Sequence, residues 1–342
     1  MKTKQFKQIS QIIVTSVLIS NTLGVNLPTF ANGQTLNIII AENQPKPQTA
    51  NPEAEKIYKL GVASYKKGDK KQALEYFNQA LKLNDKYVNA YFYRGLTKSD
   101  LKDKKGAIED YTQVILLDQK HPDANYNRGV VKSELGDKAG AIEDFTQAIS
   151  INPKDVEAYN NRGNANYDLG KKDEAIADYT AAIKINPQYD KPYNNRGNAL
   201  ADLGKNKEAI ADFTQAIKIN PKYARAYYNR GVTYFEMNDI KSALADFDQA
   251  IKYDAKYEKA YYNRGIIKSR LGDKKGSIAD YTEAIKINPN YGDAYYNRAG
   301  ILANLGDKKS AIADFKKAAE IYKQKEQDRF EQDALEQIKK LQ

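Results

Sequence analysis

The chain has 342 residues, a formal net charge of +10, no cysteine and a single histidine. The absence of cysteine excludes disulfide bonds and any membrane anchor built on a lipid-modified cysteine. The basic excess is mild for a chain of this length, and it does not by itself indicate a nucleic-acid partner.

The first 31 residues have the composition of a secretory signal peptide. Three lysines lie within residues 1–7, an uncharged and mostly apolar run follows over Ile9–Val25, and small residues precede a cleavage site after Ala31. Polar residues interrupt the run, which makes it a poor membrane span. We expect cleavage, a net charge of +7 and export to the periplasm, a lumen or the extracellular space. The alternative is an uncleaved N-terminal membrane anchor.

Residues 32–53 predict a flexible linker. They are rich in Gln, Asn and Thr and contain Pro45, Pro47 and Pro52. Such a composition offers little apolar surface to bury.

From residue 54 to residue 325 the sequence repeats every 34 residues, eight times over. We number each position within a repeat as a place, counted from place 1 at Ala54, Val88, Pro122, Val156, Asp190, Ala224, Glu258 and Gly292. Place 8 is Gly in seven repeats and Ala in the eighth, and place 20 is Ala or Ser. Place 24 is always aromatic: Phe77, Tyr111, Phe145, Tyr179, Phe213, Phe247, Tyr281 and Phe315.

The spacing of apolar residues within each repeat predicts two helices. Apolar residues recur at places 4, 8 and 11 and again at 20, 21, 24, 27 and 28, at the three- and four-residue intervals of an α-helix. Gly-Asp near places 15 and 16 separates the helices and caps the second one. Each repeat is therefore expected to be an antiparallel helix pair. One pair cannot bury its apolar face, so the pairs must stack. Residues 326–342 predict a C-terminal capping helix.

This pattern resembles the tetratricopeptide repeat, which combines an aromatic residue, Leu-Gly, Tyr, Ala, Phe or Tyr, Ala and Pro at these offsets. The resemblance covers residues 54 to 325, and its departures are local, such as Lys102 and Asn238 at the turn glycine. It implies an all-α, right-handed superhelical solenoid of eight antiparallel helix pairs. It also implies a concave groove, lined by places 2, 5, 6, 9, 12 and 13 of the first helices, that binds a protein or peptide.

Place 7 departs from the family in a regular way. The family usually has Leu there, and the first repeat has Leu60, but the other seven repeats have Arg in a YNRG-like setting. Place 23 differs in the same repeats: it is Tyr76 in the first repeat and Asp in the other seven. Places 7 and 23 lie eight residues either side of place 15, so in an antiparallel pair they sit at the same height. We expect seven structural ion pairs rather than an anion-binding ladder: Arg94–Asp110, Arg128–Asp144, Arg162–Asp178, Arg196–Asp212, Arg230–Asp246, Arg264–Asp280 and Arg298–Asp314.

Three rows of residues are candidates for the groove. A row of Asn at place 6 is similar to the one in the repeat region of O-linked N-acetylglucosamine transferases, which holds the main chain of an extended peptide; a carboxamide can both donate and accept. The alternative is that these asparagines are exposed polar residues with no binding role.

The aromatic residues at place 5 could add contact area or pack between repeats. The acidic row at place 13 gives the groove a slight negative charge and favours a mildly basic partner. The rows are Asn127, Asn161, Asn195, Asn229, Asn263 and Asn297; Tyr126, Tyr228, Tyr262 and Tyr296; and Asp100, Glu134, Asp168, Asp202 and Glu236.

No catalytic constellation is recognisable. His121 is the single His, there is no Cys, and no glycine-rich phosphate loop occurs. We expect no enzyme activity, cofactor or bound metal. The leading interpretation is an exported scaffold that grips an extended segment of another protein, with envelope or membrane-complex assembly as its setting. The alternatives are a structural spacer or self-associating solenoid, and an anionic polymer bound along the Lys-rich places after the turn, which otherwise form a solvated edge.

Overall fold

The structure is a computed structural model that describes residues 51–342. The predicted signal peptide and nearly all of the predicted linker lie outside the described residues. The described part divides into two compact units, which we call the N-terminal unit (51–219) and the C-terminal unit (220–342).

The N-terminal unit consists of ten helices. They are α1 (Pro52–Lys66), α2 (Lys70–Leu83), α3 (Val88–Asp100), α4 (Lys104–Leu117), α5 (Ala124–Glu134), α6 (Lys138–Ile151), α7 (Val156–Asp168), α8 (Lys172–Ile185), α9 (Asp190–Asp202) and α10 (Asn206–Ile219). Each odd-numbered helix packs against the helix that follows it, and α2, α4, α6 and α8 each pack against the next odd-numbered helix. Five helix pairs are therefore stacked in chain order.

The C-terminal unit contains three pairs and a final helix. They are α11 (Ala224–Glu236), α12 (Ile240–Tyr253), α13 (Glu258–Arg270), α14 (Lys274–Ile287), α15 (Gly292–Asn304), α16 (Lys308–Gln324) and α17 (Asp328–Leu341). The pairs stack as in the other unit, and α17 packs against α16. The prediction of an all-α solenoid of eight helix pairs is confirmed, and residues 51–342 contain no β-strand. None of the helices in this range is long and apolar enough to cross a membrane.

Two predicted boundaries shift slightly. Helix α1 begins at Pro52 rather than at residue 54, because the Asn51 side chain accepts from the backbone N–H groups of Glu53 and Ala54 and so caps the helix early. Helix α17 begins at Asp328 rather than at residue 326, because α16 continues to Gln324 and a short turn has to follow it.

Small residues at place 8 allow the two helices of a pair to approach closely. A Cβ built on Gly265 would lie 2.8 Å from Cε1 of Tyr281, the place-24 aromatic of the same repeat. Glycine removes that clash at the cost of some helix propensity. The place-24 rings are consequently among the most buried side chains of the chain.

The turn between paired helices requires a left-handed residue at place 15. Six repeats have glycine there, while Lys102 and Asn238 adopt φ of 70° and 62° in the other two. Asp at place 16 then accepts from a backbone N–H near the start of the second helix, as Asp273 does from Gly276. The departures at the turn glycine therefore leave the turn itself intact.

The first repeat has a distinct outer face. In later repeats, places 3 and 10 pack against the second helix of the preceding repeat, as Ala90 does beside Leu81 and Ile267 beside Phe247. In the first repeat the same places are the exposed residues Lys56 and Ala63. The absence of large apolar residues there suits an end repeat, which has no neighbour to cover that face.

We predict that Gly265→Ala lowers the free energy of unfolding by about 1–3 kcal/mol, because the new methyl group overpacks against Tyr281. Gly300→Ala is the matched control: it lies in α15, and a Cβ there meets no atom within 4 Å. The control should raise stability by up to about 1 kcal/mol through helix propensity. Urea unfolding followed by circular dichroism measures both changes, and equal effects would contradict the close approach at place 8.

Candidate functional site along the first helices

The seven arginines at place 7 each contact the Asp at place 23 of their own repeat. Nε and Nη2 donate to the two carboxylate oxygens at 2.6–3.1 Å, a bidentate contact. The Asp residues are only 2–8% exposed. Because the carboxylates are buried and held by Arg, these pairs connect the two helices of a repeat.

The same arginines also reach the preceding repeat. Nη1 of Arg196 donates to Oγ1 of Thr180 at 2.9 Å, and Nη1 of Arg94 donates to Oδ1 of Asn78 at 2.8 Å. Arg264 reaches Asp248 in the same way at 2.7 Å. These acceptors all occupy place 25. Sequence reasoning missed them, although a recurrent Thr, Asn or Asp at place 25 was the available signal.

Tyrosines at place 4 and a second cation complete the surroundings of the ion pair. The guanidinium carbon of Arg196 lies 5.9 Å from the centre of the Tyr193 ring, a cation–π distance. The hydrogen bond to Asp212 raises the pKa of Arg196. In three repeats a Lys at place 11 also contacts the Asp, as Lys98 does with Asp110 at 2.9 Å. The guanidinium is thus enclosed by groups of the chain itself.

The Asn row at place 6 links consecutive repeats. Nδ2 of Asn161 donates to the hydroxyl of Tyr126 at 3.1 Å, and Nδ2 of Asn263 donates to the hydroxyl of Tyr228 at 3.0 Å. In each case the acceptor is place 5 of the preceding repeat. The sequence predicts two separate contact rows at places 5 and 6. In the structure, residues of the two rows are hydrogen-bonded to each other in pairs.

Repeats four and five replace the tyrosine with asparagine. Nδ2 of Asn195 donates to Oδ1 of both Asn160 and Asn164, at 3.1 and 3.0 Å. Asn160 in turn donates to Oδ1 of Asn161 at 3.3 Å. The carboxamides therefore form a connected network in this part of the N-terminal unit.

Two members of the Asn row do not face solvent, and the expectation that they line an open groove is wrong. Asn127 is 9% exposed and donates to the backbone oxygen of Asp123 at 2.8 Å. Asn297 is 8% exposed and donates to the hydroxyl of Tyr262 at 3.0 Å. Both amides are buried by contacts within their own unit. Asn161, Asn195, Asn229 and Asn263 are half-buried and keep part of their surface exposed.

The aromatic row at place 5 is largely part of the interior. Tyr262 is 2% exposed, with its ring centre 5.8 Å from that of Tyr281 and 4.8 Å from that of Tyr291. It cannot add contact area for a ligand, so that expectation is wrong. Tyr126, Tyr228 and Tyr296 are half-buried. Burial raises the pKa of Tyr228 and of Tyr126, so both hydroxyls stay protonated.

In the N-terminal unit the acidic row at place 13 is paired with lysines at place 17 of the preceding repeat. The Nζ–O distances are 2.8 Å for Lys70–Asp100, 3.1 Å for Lys104–Glu134, 2.8 Å for Lys138–Asp168 and 3.5 Å for Lys172–Asp202. Tyr65 and Tyr167 donate to Asp100 and Asp202 as well. These four lysines are therefore not simply a solvated edge, and the acids do not present an uncompensated charge.

In the C-terminal unit place 13 is occupied differently. Its residues are Glu236, Arg270 and Asn304, and Arg270 donates to Oδ1 of Asn238 at 3.0 Å. The acidic row thus stops at Glu236. Lys274 and Lys308, which occupy place 17 here, are exposed.

Family comparisons match most of the repeat region. Sequence models described as tetratricopeptide repeat match residues 54–87, 88–121, 156–189, 224–257, 258–291 and 280–313, and a model described as TPR repeat matches 133–170 and 197–238. Among curated proteins, the uncharacterized protein MJ0572 of Methanocaldococcus jannaschii is 51% identical over 43 residues, which is 13% of this chain. The chain spans half the length of that relative.

Solved structures share the fold at low sequence identity. A tetratricopeptide repeat protein from Parabacteroides merdae gives a TM-score of 0.58 at 21% identity, covering 76% of this chain and 99% of its own. A chain of the APC/C hetero-tetramer Cut9–Hcn1 gives 0.58 at 15% identity, covering 79% and 52%. These similarities concern the fold alone.

We predict that Asp212→Ala lowers the free energy of unfolding by about 3–5 kcal/mol, because it leaves Arg196 without its partner in a largely buried position. The double variant Arg196→Leu, Asp212→Tyr copies the first repeat and should be much milder. A double-mutant cycle by urea unfolding measures the coupling. Additive losses would show that the two side chains do not stabilise each other.

Proposed function

The chain belongs to the tetratricopeptide repeat family, and from this premise we propose that it is a non-enzymatic scaffold that grips an extended segment of a partner protein. The segment lies along the exposed face of the first helices within a unit. It is held mainly through its main chain, by carboxamides at place 6. The proposal concerns each unit by itself: Asn161 and Asn195 act in the N-terminal unit, and Asn229 and Asn263 in the C-terminal unit.

The observation that carries this proposal is that half-buried carboxamides are already fixed in orientation. Asn161 uses one of its two N–H groups on Tyr126, and Asn263 uses one on Tyr228. A carboxamide has two donor hydrogens and an acceptor oxygen, so capacity remains for a peptide C=O. Fixing the amide beforehand lowers the entropy lost on binding.

The contacts of the acidic row change the expected partner. Because the acids of the N-terminal unit are paired with lysines, a mildly basic segment gains little from them beyond weak, exposed electrostatics. Main-chain hydrogen bonds carry no such charge preference. The proposed partner is therefore defined by an extended backbone rather than by basic side chains.

A structural spacer is the second candidate, and one observation favours it. Many of the Asn, Tyr and acidic side chains of the predicted groove bond between neighbouring repeats. If holding repeats together were their whole role, changing them would alter stability without affecting any ligand. The two candidates thus differ in a measurable way.

The proposed setting in the envelope rests on residues 1–31, which lie outside the described residues. We predict that the native protein begins at Asn32 after signal cleavage. The intact mass of protein isolated from its natural source measures this directly. A mass that includes residues 1–31 would support an N-terminal membrane anchor instead.

We predict that peptides selected from a random display library against the full chain lose affinity when the place-6 carboxamides are removed. Asn161→Ala with Asn195→Ala should weaken peptides bound to the N-terminal unit by about 1–3 kcal/mol, at about 0.5–1.5 kcal/mol for each hydrogen bond. Asn229→Ala with Asn263→Ala should do the same for the C-terminal unit. Gln147→Ala, which removes an exposed carboxamide from the second helix α6, is the matched control. Isothermal titration calorimetry measures the affinities, and thermal unfolding reports any loss of stability.

Chemical changes to the selected peptides provide the sharper test. N-methylation of alternate peptide amides removes main-chain donors and should reduce affinity, while exchange of side chains should have smaller effects. Peptides that bind all the Ala variants as tightly as wild type would overturn the place-6 grip. Failure to select any specific peptide would favour the structural spacer.

A further inference from the structure

Exposed apolar residues recur at place 14, immediately before the turn in every repeat except the first. They are Leu101, Leu135, Leu169, Leu203, Met237, Leu271 and Leu305, with exposures between 37% and 61%. Leu271 and Leu305, in the C-terminal unit, are the most exposed of the row, at 61% and 52%. The exposed apolar residues thus form a row that recurs with the turns.

The turns of the C-terminal unit lie together at one edge. Because first and second helices alternate in direction, all turns between paired helices in a unit fall on the same side. Helix α17 returns toward that side, and its Leu341 packs against the same apolar cluster as Leu302 of α15 and Ile312 of α16. We define the turn edge as residues 236–241, 270–275, 304–309 and 339–342. Three of the four exposed large apolar residues of this unit, Met237, Leu271 and Leu305, lie on it.

The turn edge is also basic. It contains eight Lys or Arg residues and four acidic residues. Three of the acids are the helix-capping residues Asp239, Asp273 and Asp307, whose carboxylates accept from backbone N–H groups at the starts of α12, α14 and α16. Part of their negative charge therefore interacts with the positive N-terminal ends of these helices.

Lys340 of this edge pairs with Glu336 at 2.8 Å, but the lysines at place 17 are not neutralised as they are in the N-terminal unit. There, each place-17 Lys pairs with an acid at place 13 of the next repeat, as Lys138 does with Asp168. For Lys274 the residue in that position is Asn304, and no salt bridge forms. Lys274, Lys275, Lys308 and Lys309 are all exposed.

We propose that the turn edge of the C-terminal unit docks onto an anionic membrane surface, with Leu271 and Leu305 entering the headgroup region and the four flanking lysines facing lipid phosphates. Apolar side chains that enter the interface and basic residues that attract anionic lipid are the two components of peripheral membrane binding. The surface does not require a membrane-spanning helix.

A lipid surface fits this edge better than a protein or a nucleic acid. Protein interfaces are depleted of Lys and have a contiguous apolar centre, whereas here single leucines are separated by lysines. A nucleic acid would use the lysines but gain nothing from exposed leucines. Only a lipid surface uses both groups.

The absence of cysteine makes a local test possible. The variant Leu271→Cys, made in the full chain, is labelled at its one cysteine with an environment-sensitive fluorophore. It is then mixed with vesicles of phosphatidylcholine and phosphatidylglycerol. We expect a blue shift and increased emission with these vesicles and no change with pure phosphatidylcholine.

Leu116→Cys is the control: it is 67% exposed, at the far end of a second helix in the N-terminal unit. It should show no shift. Because the label reports its own surroundings, membrane binding by residues 1–31 alone would leave Leu271→Cys unshifted and would overturn the proposal.

Leu135→Cys tests whether an exposed residue at place 14 gives the fluorescence change when the neighbouring lysine is paired. It occupies place 14 with 48% exposure, but it lies beside the paired Lys138. We expect little response there. A response equal to that at position 271 would overturn the assignment to the C-terminal unit.

Second-site changes in the labelled Leu271→Cys chain test the two components. Leu305→Ser should weaken vesicle binding about tenfold and leave its salt dependence intact, whereas Leu116→Ser should have no effect. Changing the four lysines to Gln should weaken it about a hundredfold or more and reduce the salt dependence, because four of the eight basic residues of the edge remain. The matched control changes four exposed lysines of the N-terminal unit to Gln: Lys120, Lys154, Lys184 and Lys218. Binding that depends on the lysines but not on Leu305 would indicate a general polyanion site and overturn the membrane proposal.

Discussion

The arginine at place 7 connects the chain in two ways, within its own repeat and between neighbouring repeats. Arg at place 7 binds the buried Asp of its own repeat through two nitrogens, and in most repeats a third nitrogen bonds place 25 of the preceding repeat. The first contact connects the two helices of a pair, and the second connects one pair to the next. Because a helix pair cannot bury its apolar face alone, the second contact adds to the packing between pairs on which the stack depends. Where no repeat precedes, in the first pair, Leu60 and Tyr76 replace Arg and Asp.

The other periodic polar residues follow the same rule. In four repeats Asn at place 6 bonds place 5 of the preceding repeat, and in the N-terminal unit the acid at place 13 bonds Lys at place 17 of the preceding repeat. Residues that look like a ligand-binding row in the sequence are thus also connections between repeats. A partner has to use the hydrogen-bonding capacity that these connections leave over. The same rule makes its exception informative, because the place-13 residue after Lys274 is Asn304, and Lys274 remains exposed.

Much of the fold could be predicted because the 34-residue period repeats the same evidence eight times. The Arg–Asp contact was predictable from places 7 and 23 alone, since both are fixed by helix rise within one antiparallel pair. Contacts between repeats were not, because they depend on the angle and offset between neighbouring pairs, which the period does not contain. For the same reason the burial of Asn127, Asn297 and Tyr262 escaped prediction, because their sequence context matches that of half-exposed counterparts. The exposed leucines at place 14 were visible in the sequence, but their exposure was not.

The most direct test of coupling between repeats is native-state hydrogen exchange of Thr180→Val. This change removes the acceptor for Nη1 of Arg196 while keeping the shape of the side chain and the Arg196–Asp212 contact. Thr97→Val is the control, because the Thr97 hydroxyl donates to the backbone oxygen of Tyr93 within its own helix. If arginine couples neighbouring pairs, Thr180→Val should speed amide exchange in both α8 and α9, on the two sides of the repeat boundary. Faster exchange confined to α8, or a response no larger than that of the control variant, would contradict the coupling.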